Sequence, residues 1–318
     1  MEKIKAIIDS DPGIDDTTAI IFSLLNPQIE IKLITTVAGN IDSKTATRNA
    51  CYLMDLFNTN IPISRGANKA LKRISPDARW LHGVEGLGHV LPPRKTKKRP
   101  IKLSAVEAMY QTIKKYPNEI TLFVLGPQTN IAELFYLHPD VCELLKEIVF
   151  MGGSPYANDK YFPYHDSFNA KTDPEALQLV LESGVPLVMV PSSVGRHKAG
   201  LREDEVAKIM EYGDLGKFLH STYIDYIEPN LAKTGLRVVA TNDLCAIFYK
   251  LYPSMFKIKP ANITVDVSTN LGRTYANFCK DGAIDIIVDV NREKFMKKFF
   301  ETLDKFKNLK LKFDTTDD

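Results

Sequence analysis

Cysteine is scarce in this chain and never clustered. Cys51, Cys142, Cys245 and Cys279 are spread over 318 residues with no CxxC pair and no metal-ligand spacing. Reduced, mostly buried thiols are expected, not a disulfide framework or a thiolate metal site. Charge of one sign is also missing: the net charge is +2, which gives no electrostatic case for nucleic acid or a membrane surface as partner. No apolar run approaches the ~18 residues of a membrane span, and the chain opens almost directly into a strand-like segment. Neither secretion nor a membrane span is therefore expected, and a cytoplasmic location is. A GxxxxGK[ST] loop is absent, and no GxGxxG follows the first strand, so no phosphate or dinucleotide cradle is indicated. The basic run Arg94-Lys95-Thr96-Lys97-Lys98-Arg99 reads as a solvated loop face.

What is present is a chain with 44% hydrophobic residues, enough to bury a large core. It is organised around one stretch, Ala6-Ile7-Ile8-Asp9-Ser10-Asp11-Pro12-Gly13-Ile14-Asp15-Asp16. An apolar run breaks into four carboxylates, and a helix-like run, residues 19–25, follows. A buried strand feeding an acidic turn and then a helix is how an α/β protein builds a site at a strand's C-terminal edge. One Asp there would serve as a helix cap. Four in so short a span repel one another unless a positive charge sits among them, and a hard divalent cation is the simplest such charge.

The same rhythm continues. Strand-like runs at residues 30–37, 61–63, 120–125, 147–151 and 187–190 alternate with helix-like runs at 43–57, 105–115, from 129, and at 174–182. This predicts a parallel sheet with right-handed crossovers in one Rossmann-like α/β domain spanning residues 1–318, mostly parallel and flanked by helices, with its site at the C-terminal edge of the strands. Residues of about 66–100 and 154–168 read as long mobile loops. Residues of about 202–236 read as a helical lid region, with Tyr223, Tyr226 and Tyr252 among its exposed or lid candidates. Residues 244–252 form a further helix, 261–267 and 283–290 are β-rich, and a basic amphipathic helix closes the fold near 291–306.

Each predicted strand ends in a polar or glycine-bearing turn. These turns offer Asp9, Asp11, Asp15 and Asp16, then Asn40, then the Leu125 carbonyl with Thr129 and Asn130, and later loops add Asn169 and Asp243. Carboxylates and carbonyls without cysteine, and with few histidines, select Ca²⁺ or Mg²⁺ over zinc or copper. The remaining amides and carboxylates suit a ligand rich in hydroxyls. Hydrolysis of a small sugar derivative fits both.

Asp9-Ser10-Asp11-Pro12-Gly13-Ile14-Asp15-Asp16 resembles the DxDPGxDD signature of the inosine–uridine-type nucleoside hydrolases. Further blocks follow in that family's order: residues 35–40, 82–87 and 126–132, Met151-Gly152-Gly153, Phe168-Asn169 with residues 173–176, and Asn242-Asp243. The resemblance implies Ca²⁺-dependent hydrolysis of the N-glycosidic bond of a small-molecule ribonucleoside, by a homodimer or homotetramer. It implies that Asp11 is both metal ligand and general base, taking the proton of a metal-held water. Asp16, the Leu125 carbonyl and Asp243 would complete the metal site. Asp15, Asn40 and Asn169 would hold the ribose hydroxyls, Met151 would pack beside the sugar, Phe168 and His82 would line the substrate site, and Asp9 would brace the turn.

Two departures stand out. The family places a leaving-group histidine just before its last metal aspartate, and here that residue is Asn242, an amide that can donate a hydrogen bond but not a proton near neutrality. His82, His165, Tyr223 and Tyr226 are the other candidates for helping the base depart. The family's Glu-Phe-Asn is Ser167-Phe168-Asn169 here, with Asp166 as the substitute carboxylate for the 5′ end of the ribose. Trp80, the single tryptophan, is a candidate stacking surface for the base, with core packing as the plainer role. Three competing readings remain. A phosphohydrolase using Asp9-x-Asp11 would want Thr or Val where Gly13 stands. A catalytically altered nucleoside- or sugar-binding protein, or a hydrolase of a modified ribonucleoside, would be consistent with Asn242 and Ser167.

Overall fold

The first strand is an interior strand of the main sheet, third from one edge. In the computed structural model, which describes residues 3–155 and 167–313, β1 (Ile4–Ser10) is flanked by two parallel neighbours, β2 (Ile29–Thr36) and β4 (Ile120–Val124). Its side chains alternate as a strand's must: Ala6 and Ile8 enter one core, Ile7 the other. Burial on both faces explains the unbroken apolar run.

From β2 the chain reaches β3 (Ile63–Arg65) at one edge; from β4 it steps outward through β5 (Glu147–Met151), β6 (Leu187–Val190) and β11 (Ile284–Val290), all parallel. The antiparallel strands β9 (Phe256–Val265) and β10 (Thr274–Phe278) finish the far edge, giving the order β10-β9-β11-β6-β5-β4-β1-β2-β3. A separate ribbon pairs β7 (Leu201–Arg202) with β8 (Val238–Val239). The strand order reverses between β1 and β4, and a sheet of this kind opens its ligand crevice at that point.

Helices cover both faces. One face carries α1 (Ile14–Leu25), α2 (Ser43–Leu56), α10 (Gly213–Tyr223), α12 (Asn242–Leu251) and α13 (Arg292–Lys305), joined through Phe22, which stacks on Phe299 at 4.9 Å and meets Phe248 edge-on at 5.7 Å. The other carries α4 (Ala105–Lys115), α5 (Thr129–Leu137) and α8 (Pro174–Leu181). Short helices fill the connections: α3 (Arg79–His82), α6 (Val141–Leu144), α7 (Phe168–Thr172), α9 (Glu203–Ile209) and α11 (Ile227–Thr234). Among the described residues no helix is long and apolar enough to cross a membrane.

The expected single, mostly parallel α/β domain is what forms. The details differ in instructive places. Helix α1 begins at Ile14, so Asp15 and Asp16 lie in its first turn, where Asp16 Oδ2 accepts the Gly13 N–H at 3.2 Å. Capping and site-building thus share one residue. Strand β3 lies two residues later than the Ile61-Pro62-Ile63 run, because Pro62 has no N–H for the ladder. Strand β9 begins at Phe256, five residues before the β-rich run at 261–267, and the five-residue edge strand β10 is not among the expected strands. The loop over residues 66–100 holds the unforeseen α3. Tyr223 and Tyr226 are buried, not exposed: both rings join the core beneath α10 and α11, and the Tyr223 hydroxyl shares a hydrogen bond with Thr18 Oγ1 at 2.7 Å.

Candidate active site

At the C-terminal ends of β1, β2, β4 and β5 lies a cavity of about 330 Å³ lined by Asp15, Asn40, Leu125, Met151, Asn169 and Asp243 among others, a volume at the small end of ligand sites. His82, Phe168 and Asn242 also line it, as do Trp80 from α3 and Tyr226 from the turn before α11. Elements distant in sequence thus contribute to one edge.

Its floor is acidic. Carboxylate oxygens of Asp15, Asp16 and Asp243 come within 4.8 Å of one another, all buried. Asp11 is fully buried beside them. Burial, and then the charge of Asp16, hold the Asp11 carboxyl well above the usual range; burial, and then Asp15, Asp16 and Asp11, do the same for Asp243. Burial also raises Asp15 and Asp16. Like charges this close in a low dielectric are unstable without a counterion.

Each carboxylate is aimed by its neighbours. Asp16 Oδ1 accepts Ser10 Oγ at 2.6 Å and the Asp11 N–H at 3.2 Å, and its Oδ2 accepts Asn40 Nδ2 at 2.9 Å. Asp11 Oδ2 accepts the Asn40 N–H at 2.6 Å, while Asp11 Oδ1 is buried without a partner. Two glycines make room for that group: a Cβ on Gly39 would stand 2.0 Å from Asp11 Oδ2, and one on Gly126 would stand 3.0 Å from Oδ1. Asp9 faces the opposite way, its Oδ1 accepting Thr35 Oγ1 at 2.5 Å and Asn130 Nδ2 at 2.7 Å. Burial pushes the Asp9 carboxyl up to about 6. It ties β1 to β2 and α5.

Asn169 Nδ2 donates to the Leu125 carbonyl at 2.5 Å and to the Met151 carbonyl at 3.2 Å, lashing α7 to the ends of β4 and β5. Asn242 Nδ2 donates to Asp15 Oδ2 at 3.3 Å, and its Oδ1 is buried without a partner. His82 Nδ1 accepts the Ile14 N–H at 3.0 Å, and burial lowers the imidazole to about 4 despite the opposing charge of Asp16. Ser167 is buried with no hydrogen-bond partner for its Oγ. Asp166 and His165 lie outside the described residues, as does most of the loop at 154–168.

Several lining residues had no signal in the sequence, and Arg196 is the charged one set deepest. Arg196 belongs to a π-helical turn, Val194–Lys198, after β6, and its guanidinium reaches the cavity beside Asp15 and Tyr226. In sequence it looks like one more charge in a polar loop. The trace of its placement is Gly195, where a Cβ would stand 2.4 Å from the Asn242 Cα.

A mostly parallel sheet with a cavity at its switch point, floored by converging carboxylates that could hold a metal ion, defines an α/β protein with its site at the strand ends. The chain belongs to the inosine-uridine preferring nucleoside hydrolase family, whose profile matches residues 6–297, and with it to the hydrolases acting on N-glycosyl compounds. It is 32% identical over 308 residues to the non-specific ribonucleoside hydrolase RihC of Escherichia coli, covering 95% of this chain and 98% of that protein. A purine-preferring ribonucleoside hydrolase from Gardnerella vaginalis superposes with a TM-score of 0.87 at 26% identity, over 96% of this chain and 99% of the other. A plant nucleoside hydrolase superposes with a TM-score of 0.85 at 27% identity, over 94% and 98% respectively.

Proposed function

We propose that this chain hydrolyses ribonucleosides to ribose and free base, with Asp11 as general base and Ca²⁺ as the resident cation. The observation that carries the reading is Asp11 Oδ1, a buried carboxylate oxygen left without a donor beside three converging carboxylates. Asp9 Oδ2 is likewise buried without a partner, so what singles out Asp11 is that its open oxygen lies beside three carboxylates, with burial and then the charge of Asp16 raising its carboxyl.

The donor set fits a hard divalent ion: Asp15, Asp16 and Asp243 converge, and Asp11 and the Leu125 carbonyl, the other proposed donors, add oxygen only. When bound, such an ion supplies positive charge that stabilises the carboxylates and acidifies water. The residues of the chain do the rest. Asp11 takes a proton from the attacking water, worth about 10²–10⁴ in rate. Asp15, Asn40 and Asn169 bind the ribose hydroxyls from the cavity wall, and Met151 packs against the sugar. Holding sugar and water in register adds proximity and orientation. Positive charge gathers on the ribosyl ring as its bond to the base stretches, as in glycoside cleavage generally, and the carboxylate-rich floor favours it.

Residues 66–100 and 202–236 contribute Trp80, Leu81, Tyr226 and Lys233 to the cavity wall, so both segments would contact a bound nucleoside. The working protein is taken as a cytoplasmic homodimer or homotetramer, and light scattering on the purified chain tests the assembly. The activity test is a nucleoside panel with added Ca²⁺, assayed for reducing sugar and free base. Ribose release from at least one nucleoside, lost in Asp11→Ala, is the expected result. Calorimetric binding with no ribose or base from any nucleoside overturns hydrolysis and leaves a binding protein.

A further inference from the structure

We infer that Arg196 binds the nucleobase and neutralises the negative charge that develops on it as the N-glycosidic bond breaks. The inference rests on the hydrolase reading and adds the residue that serves the departing base.

Four observations converge on it. Arg196 lines the cavity, and its Nε is buried without a hydrogen-bond partner. A buried donor left open beside a ligand cavity is a donor waiting for a ligand acceptor. Its position is fixed: Gly195 packs so closely on the Asn242 backbone that any side chain there would collide, which holds the turn against α12. The guanidinium hydrogen-bonds the Tyr226 hydroxyl, and its charge acts downward on Tyr226, Asp15 and His82, although burial leaves Tyr226 and Asp15 raised overall. Lys171 and Lys233 also reach the cavity, but from its exposed rim.

The other described candidates fit the task poorly. Asn242 has no proton to give near neutrality. His82 is held neutral, at about 4, by burial, and its Nδ1 is already engaged by the Ile14 N–H. Burial drives the Tyr223 and Tyr226 hydroxyls further up from their ordinary value, away from acid duty. An arginine offers charge and N–H bonds in place of a proton. In the step, the C1′–N bond breaks and its electron pair goes to the base nitrogen. The charge spreads through the ring to a carbonyl oxygen, which accepts from Arg196. Water oxygen bonds to C1′, its proton passes to Asp11, and the base anion later takes a proton from solvent. Bases bearing only amino groups on the ring lack the oxygen that receives this donor. Asn242 Oδ1, buried and unpartnered in the same cavity, supplies an acceptor for the ring N–H that accompanies such a carbonyl.

The test compares leaving groups. Arg196→Gln and Arg196→Lys are assayed on inosine, uridine and adenosine, and on p-nitrophenyl β-ribofuranoside, whose phenolate departs without help. Melting followed by circular dichroism checks that each variant is folded. Arg196→Gln is expected to lose about 10²–10³ in kcat/KM on inosine and uridine, the effect of removing one charge-stabilising donor. Its loss on the nitrophenyl riboside stays below about tenfold, Arg196→Lys falls in between, and added guanidinium restores part of the inosine rate to Arg196→Gln. Equal losses on both kinds of substrate overturn the inference, because Arg196 then supports the sugar site or the fold. No loss on either overturns it as well. A wild-type protein inactive on every substrate, the nitrophenyl riboside included, removes the hydrolase reading and this one with it.

Discussion

Asn40 donates its backbone N–H to Asp11 Oδ2 at 2.6 Å, so the turn after β2 decides which way the central carboxylate of β1 points. That turn can come so close because Gly39 has no side chain. Gly39→Ala puts a methyl group 2.0 Å from Asp11 Oδ2, and the carboxylate, more than the strand ends, has to move. The variant is expected to fold while losing about 10²-fold or more in kcat/KM, in line with displacing a general base. Steady-state kinetics beside a circular dichroism melt checks it. Wild-type activity in a well-folded Gly39→Ala protein would place the base elsewhere.

The acidic floor makes stability depend on the cation and on pH together. Burial raises the carboxyls of Asp11, Asp15, Asp16 and Asp243 above the ordinary 3.8, so the cation-free folded chain keeps protons that the unfolded chain has released. Its stability therefore falls as pH climbs from about 4 through the raised values. A cation binds the deprotonated cluster and offsets that loss. Added Ca²⁺ is expected to raise Tm more at pH 8 than at pH 5, the underlying stabilisation approaching about 2.7 kcal/mol at a hundredfold excess over Kd. Chelation should reverse the shift and abolish activity, and Asp243→Asn should blunt both. A Tm indifferent to Ca²⁺ and chelator at both pH values would remove the cation from the site.

Much of this centre was legible in one dimension because β1, its turn and α1 are contiguous. Asp9, Asp11, Asp15 and Asp16 lie within eight positions, and a buried strand followed by that many carboxylates has few physical explanations. Asn40, Leu125 and Asp243 were reachable because each ends or follows a predicted strand or opens a predicted helix, whereas Asn169, in a polar loop, was marked by the Phe168-Asn169 block of the resemblance. What stayed hidden depends on pairing across the chain. Asn130 reads as a helix-opening polar residue, and only the β1–β4 register shows it gripping Asp9. Arg196 reads as loop charge until the π-helical turn swings it inward against Asn242. Tyr223 and Tyr226 read as a lid because a helix pattern does not say what covers its apolar face.

His82 offers a cleaner pH experiment than the carboxylates. Burial lowers its imidazole from 6.5 to about 4 in the folded chain, so below pH 6.5 the unfolded state binds a proton that the folded state refuses. The stability His82 contributes is complete above 6.5 and is lost as pH falls toward 4, amounting to a few kcal/mol. His82→Gln removes that titration and also the acceptor for the Ile14 N–H. The wild type should melt well above the variant at pH 7.5, and the gap should narrow steadily toward pH 4. A gap that is constant or widens in acid would mean the ring is charged in the folded protein, and His82 would return as a proton donor.

The last prediction concerns how the loop over the cavity is held. Arg73 makes two parallel bonds to Glu175, Nη1 to Oε2 at 2.6 Å and Nη2 to Oε1 at 2.7 Å. Next to it, Asp173 Oδ2 accepts the Leu71 N–H at 2.8 Å and Thr129 Oγ1 at 2.7 Å. Residues 71 and 73 are thereby tied to α8 and α5, and the chain just downstream supplies Pro76, Trp80 and Leu81 to the cavity wall. The Glu175 side chain is only 10% exposed, so the forked pair is shielded from solvent and counts for more than a surface bridge. Glu175→Gln leaves Arg73 half-satisfied at a cost of about 1–3 kcal/mol. Because the carboxylate floor is untouched, the expected kinetic signature is a KM raised several-fold with kcat nearly unchanged, together with a lower Tm. A loss confined to kcat would show instead that the tether acts on the reacting centre, and an unchanged KM would show that the loop holds its place without it.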